Sequence, residues 1–380
     1  MGAENRHTGV LTIGNPTVDL PTKLSNLNVS TLPSGKKTSF STYAGVLGRL
    51  FADFADPTGD LGLETTGQAT AAGNVTNVTA AINKLSPKSS YNRPIIKIGT
   101  GDGHEATIRA HPALTDAIVT EHKGPNSVSI VVTAKEDPDR DIISFKSEIP
   151  GGFEYDGDEP QAIYLTSGGT NWRQTYPDVT SYAKKHKDVL LAVSPGSQEM
   201  KDKGPELYET ITHATVLFAN KEEALSLIGE DPETSTLPID EILIKTKKLG
   251  PQVISITDGA NGSYTIDDQN IYHLGVLTPT VLPELSHTIV NTLGAGDAYA
   301  AAFFQALIEN LGIEEAMRWG TLNAAFVIRT EDANSGQLIR AQMIDYAKRI
   351  QNDFRPTISN HQALQTRLDA DAILNGFNRR

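Results

Sequence analysis

A chain of 380 residues with 46 acidic and 33 basic side chains carries a formal charge of −13 and contains no cysteine. The charge disfavours nucleic-acid backbones and anionic membranes as partners, and the missing cysteine excludes disulfides, thiolate nucleophiles and zinc–thiolate sites. No apolar run approaches the ~20 residues of a membrane helix, and the opening MGAENRHTGV lacks the apolar core of a signal peptide, so a cytoplasmic protein is expected.

At roughly 100–200 residues per domain, the length predicts two units, or one large α/β domain with an appendage. The first short β-branched run is VLTIGN (10–15). Residues 16–70 are more polar and extended, and the Gly-, Thr- and Asp-rich stretch 54–73 reads as an insertion or loop. NVTNVTAAINKL (74–85) places Val75, Val78, Ala81, Ile82 and Leu85 on one helical face. PIIKIGTG (94–101) is a further strand, and SVSIVVTAKEDPDRDIISFKSE (127–148) predicts two strands joined by a turn at Asp137, Pro138 and Asp139.

AIYLTSGG (162–169), VLLAVSPGS (189–197), TVLFAN (215–220) and VISITDG (253–259) continue the strands. Helical patterns fall between them: EEALSLIG (222–229), then IDEILIKTKKLG (239–250), whose last-turn lysines and closing glycine suit a helix C-terminus. AGDAYAAAFFQALIENLG (295–312) and IEEAMRWGTLNAAFVIR (313–329) are consecutive helices, and the tail 355–380 carries a weak helical pattern. Near-continuous apolar strands are covered on both faces, and strands alternating with helices predict a doubly wound, mostly parallel α/β sheet. An antiparallel β unit built from 16–70 and 127–150 is the expected smaller part, with 1–15, 71–126 and 151–380 forming the core.

One stretch carries the chemistry. In NTLGAGDAYA (291–300), a Gly-Ala-Gly turn at a helix start bares backbone N–H groups that favour an anion such as a phosphate. Asp297 follows at once. A carboxylate beside an anion hole is what phosphorylation of an alcohol requires, with the acid taking the hydroxyl proton. The same residues also fit a plain helix start, with glycines that turn the chain and an acid that caps it.

NTLGAGD resembles the Asp-Thr-x-Gly-Ala-Gly-Asp signature of the ribokinase/phosphofructokinase-B (PfkB) family of carbohydrate and nucleoside kinases, and further segments agree in order from about residue 8 to 350. TIGNPTVDL resembles the family's first strand, AAGNVTNVTAAINKL its Gly-Gly-x-x-x-Asn helix start, and IKIGTGDGHEA its Gly-x-x-Gly-x-Asp segment, with Gly99 and Asp102. FANKEEA is similar to its Asn-x-x-Glu pair, and ITDGANGSY to its Thr-x-Gly-x-x-Gly turn.

The resemblance implies a ribokinase-like fold with a small β lid over the substrate, and an ATP- and Mg²⁺-dependent kinase that phosphorylates a hydroxymethyl group of a sugar. It implies Asp297 as general base with Gly294, Ala295 and Gly296 as the anion hole, and Asp19, Gly73 and Asn77 on the substrate. It puts Asn220, Thr257, Gly259, Gly262 and Asn323 at the nucleotide, and Glu223 near magnesium through water. It also implies a homodimer paired through lid strands. Where many relatives hold a monovalent cation with an aspartate, this chain has Asn291, so potassium is left in doubt. The glycine pair is Ala72-Gly73. Two other readings stay open: a nucleoside kinase such as an adenosine kinase, and a non-catalytic sugar- or nucleotide-binding homologue. A P-loop is absent from the sequence, and GTGDGH and GANGSY are poor dinucleotide fingerprints.

Overall fold

The computed structural model describes residues 8–24, 63–65, 68–133, 140–148 and 150–361. Most of the insertion expected at 54–73, the turn at 137–139 and most of the tail 355–380 lie outside them. Fifteen strands are found among the described residues. In chain order, β1 is Thr8–Ile13, β2 Thr17–Leu24, β3 Leu63–Thr65, β4 Thr70–Ala72, β5 Tyr91–Gly99, β6 Ile118–His122, β7 Ser127–Thr133 and β8 Arg140–Phe145. They continue with β9 Ala162–Leu165, β10 Leu190–Val193, β11 Val216–Asn220, β12 Val253–Thr257, β13 Ser263–Ile266, β14 Asn270–Leu274 and β15 Thr357–Asn360.

Ten of these form one sheet in the order β15-β14-β13-β12-β11-β10-β9-β1-β5-β6. The seven strands from β12 to β6 are parallel to one another, and β13, β14 and β15 add antiparallel pairs at one edge. The apolar runs are continuous because successive residues go to opposite faces, both of them covered. Ala162, Tyr164, Ala192, Val216 and Phe218 face one core. Ile163, Leu165, Leu191, Val193 and Leu217 face the other.

The helices divide accordingly. α1 (Asn74–Leu85) precedes the short α2 (Glu105–Arg109), α3 (Trp172–Lys185), α4 (Ser197–Asp202), α5 (Pro205–Thr212), α6 (Lys221–Leu227) and α7 (Ile239–Lys247). The chain continues with α8 (Ala295–Ile308), α9 (Ile313–Val327) and α10 (Arg340–Ile350). α1, α8, α9 and α10 fill the first core and α3, α5, α6 and α7 the second. Among the described residues no helix is long and apolar enough to cross a membrane.

The second sheet is built from β3, β2, β7 and β8, with β4 also on β2. Its pairs are antiparallel except β2 with β7, which run parallel. A third small core of Val18, Ala71, Val75, Ile96, Ile98, Ile108 and Leu114 joins its base to α1 and β5. The main sheet ends on β6, which the apolar pattern did not reveal: IVTEH is an edge strand with only His122 buried. α3 was hidden for a related reason. Its sequence is polar overall and contains Pro177, and it folds because Trp172, Tyr176 and Val179 bury one face.

Candidate active site

The Gly-Ala-Gly turn opens α8, and its glycines have different tasks. Gly294 is the N-cap, with φ +74. A Cβ there would stand 2.3 Å from the Ala333 Cβ, so the position needs glycine for conformation and for space. A Cβ on Gly296 would meet nothing within 4 Å, so this side of the turn faces open space. First-turn N–H groups have no partner within their own helix and are available there to an incoming anion. The Ala295 N–H is the exception among the three residues predicted for the anion hole, since it already reaches the Thr292 carbonyl at 3.3 Å.

Asp297 lies in the first turn of α8. Two amides from the first turn of α1 hold its carboxylate: Asn74 Nδ2 donates to Oδ1 and Asn77 Nδ2 to Oδ2, both at 2.9 Å. Two helix N-termini therefore meet over one acid, and both dipoles favour its negative charge. Burial outweighs these donors and pushes the Asp297 carboxyl up to about 6. Asn77 is itself held. Asn334 Nδ2 donates to its Oδ1 at 3.3 Å, and Gln337 Nε2 to its backbone carbonyl at 3.0 Å. Asn74, Asn334 and Gln337 were not foreseen from the sequence.

Gly73, at φ +90, is the N-cap of α1, and its carbonyl accepts the Asn77 N–H. A Cβ on Gly73 would come within 3.1 Å of Thr17 on β2, and the Thr17 hydroxyl donates to Asp19 at 3.4 Å. Asp19 thus enters from the second sheet beside the start of α1. Asp102 has a different task. It accepts the Asn126 and His104 N–H groups and the Asn126 side chain, and so ties the loop after β5 to the loop before β7.

Asn220 and Thr257 are direct partners at the carboxyl ends of parallel β11 and β12. Ligands of such sheets sit outside these ends. Asn220 caps α6 by accepting the Glu223 N–H at 2.8 Å, and Glu223 Oε2 accepts the Asn220 N–H at 2.8 Å. This reciprocal capping box fixes both side chains at the strand end. Gly259 and Gly262 shape the next turn, and Lys221 pairs with Asp258 at 3.5 Å. The Tyr299 hydroxyl lies 3.0 Å from the Ser255 hydroxyl. It pins α8 to β12 two residues before Thr257. No group of three or more acidic or histidine side chains fit for a metal occurs among the described residues.

Asn323 is fully buried within α9: its Nδ2 donates to the Ala298 carbonyl at 3.0 Å, and its Oδ1 accepts the Leu338 N–H at 2.9 Å. Both ends of the amide are used to join α8, α9 and the entry to α10.

Residues 42–339 match the model of the pfkB family carbohydrate kinases. The chain is 30% identical over 171 residues to the ribokinase of Bacillus subtilis, a match spanning 45% of this chain and 50% of that enzyme. It is 25% identical to a 5-dehydro-2-deoxygluconokinase of Bacillus anthracis over 90% of this chain and 95% of the relative. The structure of Arabidopsis thaliana ribokinase complexed with ribose and ATP superposes with a TM-score of 0.66 at 18% identity, over 90% of this chain and 99% of that one. The fold is ribokinase-like, with a large mostly parallel sheet and a small separate one. Enzymes of this kind are phosphotransferases with an alcohol group as acceptor, and this chain belongs to the pfkB family of carbohydrate kinases.

Proposed function

We propose that the protein is an ATP-dependent sugar kinase that phosphorylates a hydroxymethyl group. The carrying observation is the carboxylate of Asp297, gripped by Asn74 and Asn77 at the mouth of α8 and directly beside the open backbone of Gly296. In this reading Asp297 accepts the proton of the substrate hydroxyl while the hydroxyl oxygen bonds to the terminal phosphorus of ATP. The bond from that phosphorus to the bridging oxygen breaks, and ADP leaves. First-turn N–H groups of α8 hold the charge on the moving phosphoryl.

Asp19, Gly73 and Asn77 line the sugar side of this site, and Asn220, Thr257, Gly259 and Gly262 the nucleotide side. Magnesium, when bound, neutralises phosphate charge. Glu223 would lie near it, and among the described residues there is no carboxylate cluster, so nucleotide oxygens and water would complete its shell. The second sheet closes over the sugar as a lid, excludes water, and pairs two copies of the chain. The long alignment with a 5-dehydro-2-deoxygluconokinase supports a sugar or sugar acid over a nucleoside. ATP as donor makes the cytoplasm the working compartment.

The test is a coupled ADP-release assay over sugars, sugar acids and nucleosides, run with wild type and Asp297→Asn. Turnover of a sugar that falls roughly 10²–10⁴-fold in the variant supports the reading. Undiminished turnover in Asp297→Asn, or turnover of nucleosides alone, overturns it.

A further inference from the structure

Asn291, the first residue of the signature, is 1% exposed. Its carboxamide works in both directions. Oδ1 accepts the Leu293 N–H at 2.8 Å, and Nδ2 donates to the Thr330 carbonyl at 2.6 Å. These partners leave one orientation for the amide, since an N–H must face oxygen and a carbonyl must face nitrogen. An aspartate here could still accept from Leu293, but it would set a carboxylate oxygen against the Thr330 carbonyl oxygen. Two facing acceptors repel unless they share a proton or move apart to admit a metal cation.

The rest of the 330–337 loop is closed in the same manner. The Thr330 hydroxyl reaches the Asp332 carbonyl at 3.0 Å, and Gln337 Nε2 reaches the Ala333 carbonyl at 3.0 Å. The ammonium of Lys84, from the last turn of α1, donates to the Asn334 carbonyl at 2.7 Å and the Gln337 carbonyl at 3.4 Å. The carbonyls of Thr330, Asp332, Ala333, Asn334 and Gln337 are thus taken by donors of the chain itself. This loop also carries Ala333, packed against Gly294, and Asn334, bonded to Asn77. Whatever fixes the loop fixes the anion hole and the base together.

We propose that the carboxamide of Asn291 and the ammonium of Lys84 stand in for a monovalent cation, so that the loop bracing the site is held without one. Both are positioning residues, because neither touches the reacting atoms. The inference rests on the kinase reading only for its activity readout.

The experiment compares potassium chloride with choline chloride at equal ionic strength, in wild type and Asn291→Asp, by thermal unfolding and by turnover. Wild type is expected to unfold at the same temperature and turn over within about twofold in either salt. Asn291→Asp is expected to unfold several degrees lower in choline and to recover in potassium with a saturable dependence, turnover following the same curve. A saturable rise of tenfold or more in wild-type turnover with potassium, or a saturable potassium shift of its unfolding temperature, overturns the proposal. So does a folded Asn291→Asp whose unfolding ignores potassium. If that variant does not fold, the wild-type comparison decides alone, and its unfolding arm does so even if no tested sugar is a substrate.

Discussion

The amide of Asn334 donates to the amide of Asn77 at 3.3 Å, and so settles which end of Asn77 faces Asp297. With its Oδ1 engaged by Asn334, Asn77 presents Nδ2 to the carboxylate. Asn334→Ala removes one neutral hydrogen bond, worth about 1 kcal/mol, and is expected to lower turnover by about tenfold or less. Asn334→Asp places a second acceptor and a charge against Asn77. It should cost more, and should also move the acid limb of the pH–rate profile upward by electrostatic repulsion of the Asp297 carboxylate. Steady-state kinetics across pH for the two variants checks the ordering.

Burial raises the Asp297 carboxyl to about 6, and a base works only when deprotonated. Activity should therefore fall below about pH 6 with a slope of one proton. Asn74→Ala removes a donor that favours the charged form, so the acid limb should shift to higher pH, by roughly one unit for a bond to a charged group. An unmoved limb in Asn74→Ala would detach the profile from Asp297.

The same acid should cost stability. Its carboxyl is raised in the fold, so the stability linked to it is full below its ordinary value of 3.8 and is lost as pH rises through about 6. At neutral pH Asp297→Asn removes that burden and should stabilise the protein by on the order of 1–2 kcal/mol while lowering turnover roughly 10²–10⁴-fold. Denaturant unfolding at pH 7.5 and at pH 4.5 tests the sign, since the gain should shrink at the lower pH.

Glu199 makes a similar case away from the base. It is fully buried, accepting the Gly168 N–H at 2.7 Å and facing the Ser167 hydroxyl at 3.4 Å. Burial pushes its carboxyl up to about 7, against the pull of backbone hydrogen bonds and of Lys146. Stability from this group is full below its ordinary value of 4.5 and lost as pH rises through about 7. Glu199→Gln should flatten the wild-type decline over that window, a difference on the order of 2–3 kcal/mol at pH 8. Melting curves of both proteins from pH 5 to pH 8 measure it.

Gly294→Ala brings a Cβ to 2.3 Å from the Ala333 Cβ at a positive φ. It should destabilise by roughly 2–4 kcal/mol through crowding and backbone strain together. Adding Ala333→Gly relieves the crowding and leaves the strain, so the double variant should recover only part of the loss. Full recovery would show that conformation contributes nothing at this turn.

The inner parallel strands were legible because both of their faces are buried, which writes Val, Ile and Leu in unbroken runs. β6 and β15 escaped the pattern because edge strands keep exposed residues. The glycine turn that opens α8 could be read because its residues are adjacent in sequence. The clamp around Asp297 could not, since Asn74, Asn77, Asn334 and Gln337 form no local pattern and meet only in the folded chain. The helix-tying contacts of Asn323 were not legible, because a buried amide that joins helices has the same letter as one that meets a ligand. Asn220 and Glu223 form a capping box, and it stands at the strand ends where a ligand of this sheet would lie.

The contacts that hold Asp297 cross 220 positions to Asn77, and those that hold Asn77 cross 257 positions to Asn334. A chain emerging from the ribosome completes Asn74 and Asn77 long before Asp297, and the carboxylate is not fully braced until the 330–337 loop has closed. Contacts of such separation form slowly and late. Partly made or truncated chains therefore lack the clamp even where α1 is complete, and the onset of turnover during refolding would time the last long-range closure of the molecule.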